Sequence, residues 1–166
     1  MEIAKLKKPA LLMIVGNAFP NDTRVRKEAD VLRELYDITV IALKKCVDKY
    51  CEQVNGMSVI RIPDLSARSL DLRNKFLRCI FNRLFYVLEY VYFTTAATVI
   101  FLATVMTRKY KVIHVHNPPD TLFLIGLIGK LLSIRFIYDH HDLSPELYLS
   151  RFSGRRDLIY RTLVLF

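Results

Sequence analysis

The chain has 166 residues, is 52% hydrophobic and carries a formal net charge of +9 with a pI near 9.6. That length builds one ordinary domain with a real core, spanning residues 1–166, and excludes two complete catalytic domains. An odd set of cysteines (Cys46, Cys51, Cys79) with no Cys-x-x-Cys spacing excludes a disulfide framework and a cysteine zinc site, which points to a reducing, cytoplasmic compartment.

The first seventeen residues place lysines ahead of an apolar run, as a signal peptide does. The run is short, ends in Gly16-Asn17 and has no small-residue cleavage site, so Leu11 to Gly16 reads as a first buried strand. Loop residues Asn17 to Asp22 follow, and Asp22 or Thr23 caps a helix whose periodicity comes from Glu28, Ala29, Val31, Leu32 and Leu35. Asp37 to Leu43, alternating and β-branched, is the next strand. Met57 to Ile62 is another, entered by the turn Asn55-Gly56 and closed by Pro63. Val112 to His116 and Phe136 to Asp139 are two more, separated by a helical segment over Asp120 to Leu132. The order β-α-β-β-α-β-α-β, with helical pattern to the end, predicts an α/β fold, a doubly wound and mostly parallel sheet.

Between the third and fourth predicted strands lies a long apolar, aromatic stretch, Phe76 to Met106, with Arg78 and Arg83 at its front and Arg108 and Lys109 behind it. Leu84 to Met106 is long enough to span a bilayer and only Glu89 interrupts it. Three readings stand: a crossover helix or helix pair packed on the sheet, a helix docked in the membrane interface, and a true span. The last would split one βαβ fold across a bilayer, whereas the basic flanks suit an interface. The aromatics cluster in the apolar stretch and not among the basic residues as stacking platforms, which argues against nucleic acid as a partner.

In doubly wound sheets ligands bind beyond the carboxyl ends of the strands. The first strand ends in Gly16-Asn17. The helix that follows it has exposed amides and the cations Arg24 and Arg26 to hold a phosphate, although neither G-x-G-x-x-G nor a Walker loop is present. The fourth strand ends in His114-Val115-His116-Asn117-Pro118-Pro119-Asp120 and the fifth in Asp139-His140-His141-Asp142, with Glu146 just beyond. All 4 histidines of the chain thus fall at two strand ends, which marks the candidate site. Alternation puts His114 and His116 on one face. Such His/Asp groups act as a general base, bind sugar hydroxyls, or ligate a metal through His116, His140 or His141, and Asp142. No G-x-S-x-G and no cysteine near the histidines supports a nucleophile.

The segments GNAFPNDTRVRKEADVL, VNGMSVIRIPDL, YKVIHVHNPPDTLFLIGLIGKLL and FIYDHHDLSPELY, in this order from about Leu11 to Phe152, resemble the amino-terminal domain of family 4 glycosyltransferases. The resemblance implies one Rossmann-like half of a GT-B enzyme. In that family the front domain contacts the acceptor, the rear domain binds a nucleotide-sugar, and transfer retains anomeric configuration, usually without a metal. It implies that His116 lies at the reacting sugar as the catalytic residue. Substrate contacts then come from Gly16, Asn17, Arg24, Asn117, Asp120, His140, His141, Asp142 and Glu146. No cofactor is implied beyond the nucleotide-sugar co-substrate. A sugar or lipid-linked acceptor at the inner leaflet, in glycan or polysaccharide biosynthesis, suits the basic aromatic stretch. The family's donor-binding half is not in this sequence, which stops inside a helical pattern at Arg161 to Phe166, so the chain alone is expected to be inactive. Two rivals are a non-catalytic membrane scaffold of a split enzyme and a metal-dependent hydrolase built on the His/Asp cluster.

Overall fold

Runs of Leu, Ile and Val that read as buried strands form the centre of one sheet. The computed structural model describes residues 8–65, 75–152, 154 and 156–164, the side chains of 75–80 excepted. Strand β1 (Ala10–Ala18) leads through helix α1 (Thr23–Leu32) to β2 (Asp37–Lys44), and then to β3 (Cys51–Val54) and β4 (Met57–Pro63). Helix α2 (Lys75–Arg108) crosses to β5 (Val112–His116), and a 3-10 turn (Asp120–Leu122) opens α3 (Phe123–Leu131). Strand β6 (Arg135–Asp139), α4 (Ser144–Arg151) and α5 (Leu158–Val164) complete the described chain. The strand order is β3-β4-β2-β1-β5-β6, and all pairings are parallel except that of β3 with β4. This is the α/β, Rossmann-like, doubly wound arrangement the sequence predicts.

Side chains alternate cleanly across the sheet. Leu11, Met13, Val15, Val40 and Val59 pack against Val25 and Ala29 of α1 on one face. Leu12, Ile14, Ile41, Ile113 and Val115 pack against Phe93, Ala97 and Phe101 of α2 and Ile125 of α3 on the other. Strand β3 was not foreseen. Its residues alternate between exposed and half-buried at the sheet edge and carry little apolar signal. It exists because Asn55 (φ 50°) and Gly56 (φ 81°) turn the chain back onto β4 in the left-handed conformations a two-residue hairpin needs.

The periodicity of α1 is narrower than its sequence suggests. Only Val25 and Ala29 are buried, while Val31 is 70% exposed and Leu35, beyond the helix end, 65%. The apolar stretch forms one helix, the crossover packed on the sheet. Tyr86, Phe93, Thr94, Ala97 and Phe101 make its buried stripe, at the i, i+3 and i+4 spacing of a single helix face. The opposite stripe, Leu84, Leu88, Val91, Val99, Leu102 and Met106, is apolar yet exposed. Its expected basic flanks are partly engaged within the fold, Arg83 with Asp157 at 2.9 Å and Arg108 with Asp37 at 3.5 Å.

Candidate functional site

The sheet reverses direction of winding between β1 and β5, and the carboxyl ends of these neighbours form the floor of a cleft of about 410 Å³. Gly16 and Asn17 from β1 and Pro118 and Pro119 after β5 line it. Its walls are Tyr86, Glu89, Tyr90 and Phe93 of α2 and Leu147, Ser150 and Arg151 of α4. Gly16 is required by close approach: a Cβ there would fall onto the Pro118 carbonyl oxygen and against the Pro119 ring.

The polar wall of this cleft is a small connected group. Tyr86 donates its hydroxyl to that of Tyr90 at 2.6 Å, and the Arg151 guanidinium lies 5.2 Å from the centre of the Tyr86 ring and 3.5 Å from the Glu89 carboxylate. Glu89 Oε1 is buried without a hydrogen-bond partner. Burial pushes the Glu89 carboxyl above its ordinary range although Arg151 pulls the other way, and burial likewise raises the Tyr86 and Tyr90 hydroxyls. None of these four residues was picked out as a site residue from the sequence. The available signal was the lone carboxylate interrupting an apolar helix, which must find a polar environment on whichever face it occupies.

The histidine-rich strand ends do come together, but behind the cleft. His114 and His116 lie on the α1 face, their ring centres 4.3 Å apart, and both face Glu28 of α1. His116 is fully buried. Its Nδ1 lies 3.0 Å from Asp139 Oδ2, and the same carboxylate pairs with His141 Nε2. Because a carboxylate accepts at Nδ1, that nitrogen carries the ring proton, and Nε2 is left with no hydrogen-bond partner. Burial and the neighbouring His114 push His116 down to about 4, so it is neutral near pH 7. Burial alone would raise Asp139, but hydrogen bonds from His116 and His141 hold it below the usual carboxylate range.

Other predicted site residues are committed to holding loops. Asn117 joins the ends of β5 and β6. Its Nδ2 donates to the Asp142 carbonyl at 2.5 Å and to Asp120 Oδ1 at 3.0 Å, and its Oδ1 accepts from the amides of His141 (2.7 Å) and Asp142 (3.3 Å). Asp120 also accepts from the Tyr138 hydroxyl at 3.1 Å. At the start of α1, Asp22 accepts from the amides of Arg24 and Val25, and Asn17 donates to it as well. The helix start read as a phosphate site therefore already has an anion on two of its amides, with Arg24 3.7 Å from that carboxylate. His140, whose ring lies 5.9 Å from that of Tyr138, and Glu146, in the first turn of α4, are exposed. Of the predicted residues, Gly16 and Asn17 line the cleft; the metal set of His116, His140 or His141, and Asp142 is not assembled among the described residues.

No family model and no curated protein matches this sequence. Among solved structures it is similar to sucrose-phosphate synthase from Thermosynechococcus elongatus, with a TM-score of 0.54 at 16% identity over 94% of this chain and 39% of that chain. The likeness is one of fold, the α/β arrangement described above. The chain spans well under half of that synthase. A second structure of the same synthase covers 86% of this chain and 68% of its own at 16% identity and a TM-score of 0.49. A Rex-family repressor gives 0.40 at 7% identity over 94% and 63%. These last two likenesses are too weak to bear on the fold.

Proposed function

We propose that the chain is the acceptor-side half of a retaining glycosyltransferase of the family 4 type. It moves a sugar from a nucleotide-sugar to a sugar or lipid-linked acceptor at a membrane surface, in glycan or polysaccharide biosynthesis. The cleft at the reversal of the sheet carries this reading. It offers aromatic rings, a carboxylate and a guanidinium around a space large enough for one sugar unit, at the edge of a glycosyltransferase-like fold. The donor is held by a second, nucleotide-sugar-binding domain. Gly16 and Asn17 face the donor diphosphate, while Tyr86, Glu89, Tyr90 and Arg151 receive acceptor hydroxyls. His116, being buried, acts as a positioning residue that holds the end of β5 through Asp139. The exposed apolar stripe of α2 rests on the cytoplasmic face of the membrane.

Transfer from a panel of nucleotide-sugars to a membrane extract, with the chain and its donor-binding domain together, tests the reading. Glu89→Gln or Arg151→Ala is expected to lower kcat/KM by roughly 10–100-fold, the loss of one charged hydrogen bond. Full activity in both variants would remove the cleft from the reaction.

A further inference from the structure

The group behind the cleft has a feature that hydrogen bonding within the protein leaves unexplained. His116 Nε2 is buried and unpartnered, and 3.8 Å away lies Oε2 of Glu28. With the ring proton on Nδ1, a lone pair faces a carboxylate, two acceptors with nothing to share. The other oxygen of Glu28 lies 3.5 Å from His114 Nδ1. One donor atom each from Glu28, His114, His116 and Asp139 lies within 4.8 Å of all the others. A zinc-type ion binds nitrogen and oxygen at about 2.0–2.1 Å, which sets neighbouring tetrahedral ligands roughly 3.3 Å apart. The Glu28–His114 and Glu28–His116 separations are already close to that spacing.

We propose that Glu28, His114 and His116 bind a divalent cation of the zinc class. Glu28 supplies a carboxylate oxygen, His114 its Nδ1 and His116 its Nε2. Asp139 accepts the hydrogen bond that His116 Nδ1–H donates, the carboxylate–histidine–metal arrangement that fixes tautomer and ring orientation at metal sites. An open groove of about 820 Å³ beside α1, lined by Glu28, His114 and Asp139, gives the ion and a water ligand a way in. The two histidines are residues i and i+2 of one strand and the glutamate comes from the helix packed on it, so the ion ties α1 to β5. Its role is structural, and it stands whether or not the transferase reading holds.

The test uses the full chain with Cys46, Cys51 and Cys79 all replaced by serine, which removes every thiol as a competing ligand, including the two that are exposed among the described residues. Zinc binding is measured by competition with a chromophoric chelator, and Co²⁺ substitution reports the ligand type. The expected result is one ion per chain with a Kd at or below the micromolar range, a higher Tm with zinc, and cobalt d–d bands of a nitrogen/oxygen site. Glu28→Gln and His114→Ala should each weaken binding at least tenfold, while His140→Ala leaves it unchanged. Circular dichroism confirms that each variant is folded; if one is not, the other still reads the site. Absence of binding below about 100 μM, a value well short of any structural zinc site, would overturn the proposal. So would binding that survives both ligand variants or disappears with His140.

Discussion

Gly16 shows how one missing side chain shapes the cleft. Its Cα sits under the Pro118 carbonyl, so Gly16→Ala is expected to destabilise the fold by about 1–3 kcal/mol through overpacking. Denaturant unfolding measures this, with the midpoint falling and the m-value unchanged. Asp22 acts through hydrogen bonds instead. Burial would raise its carboxyl, but donors from Asn17, Val25 and Arg24 hold it below the ordinary range. A depressed carboxylate contributes stability that is complete above its unfolded value and is lost as pH falls through its folded value. Asp22→Ala should therefore cost about 1 kcal/mol at neutral pH, and the difference from wild type should shrink in acid. Glu89 has the opposite sign. Its raised value means that the folded state disfavours the charged form, so its penalty is absent at low pH and grows as pH rises through the folded value. Glu89→Gln is expected to raise Tm at neutral pH and not in acid, while weakening transfer. A variant less stable than wild type at neutral pH would show that Arg151 compensates the charge fully.

The element whose two faces matter most is α2. Its inner stripe is core: Phe101 is fully buried between the sheet and Tyr110, and Phe101→Ala is expected to cost about 3–5 kcal/mol, seen by thermal or chemical unfolding. Its outer stripe contributes little to folding. Leu88→Ser at an exposed position should change stability by no more than about 0.5 kcal/mol. The paired change Leu88→Ser, Leu102→Ser is nevertheless expected to reduce co-sedimentation with vesicles of mixed neutral and anionic lipid several-fold. Equal sedimentation of variant and wild type would leave the outer stripe without a membrane role. Hydropathy alone cannot separate these stripes, because both are apolar. Only the sheet beneath the helix distinguishes them.

For the whole molecule the relevant quantity is where the two edges of the sheet lead. The carboxyl edge holds the cleft on the α2 side and the His/carboxylate group on the α1 side. On the proposed reading the nucleotide-sugar is held by a second domain, so the chain alone is expected to bind a sugar without transferring one. Saturation-transfer NMR with simple mono- and disaccharides, beside a transfer assay of the isolated chain, checks both halves of this expectation. Sugar transfer by the isolated chain would show that these residues hold the donor too.

The strands other than β3 were legible in chain order because β1 is a nearly continuous apolar run, as a parallel sheet covered on both faces requires, and β2, β4 and β5 are short β-branched segments bounded by turn residues. The strand-end histidines were legible for the same reason: periodicity two fixes their common face before any contact is known. Other features come from long-range packing, which has no local signature. Strand β3 exists only through its pairing with β4. The hydrogen-bond partner of His116 is 23 residues downstream, and the carboxylate facing its other nitrogen comes from α1. Glu89 reaches Arg151 62 residues away. Composition told that a carboxylate interrupts an apolar helix; which side of the helix it serves is a property of the fold, since burying that charge is tolerable only where a guanidinium and a cleft meet it.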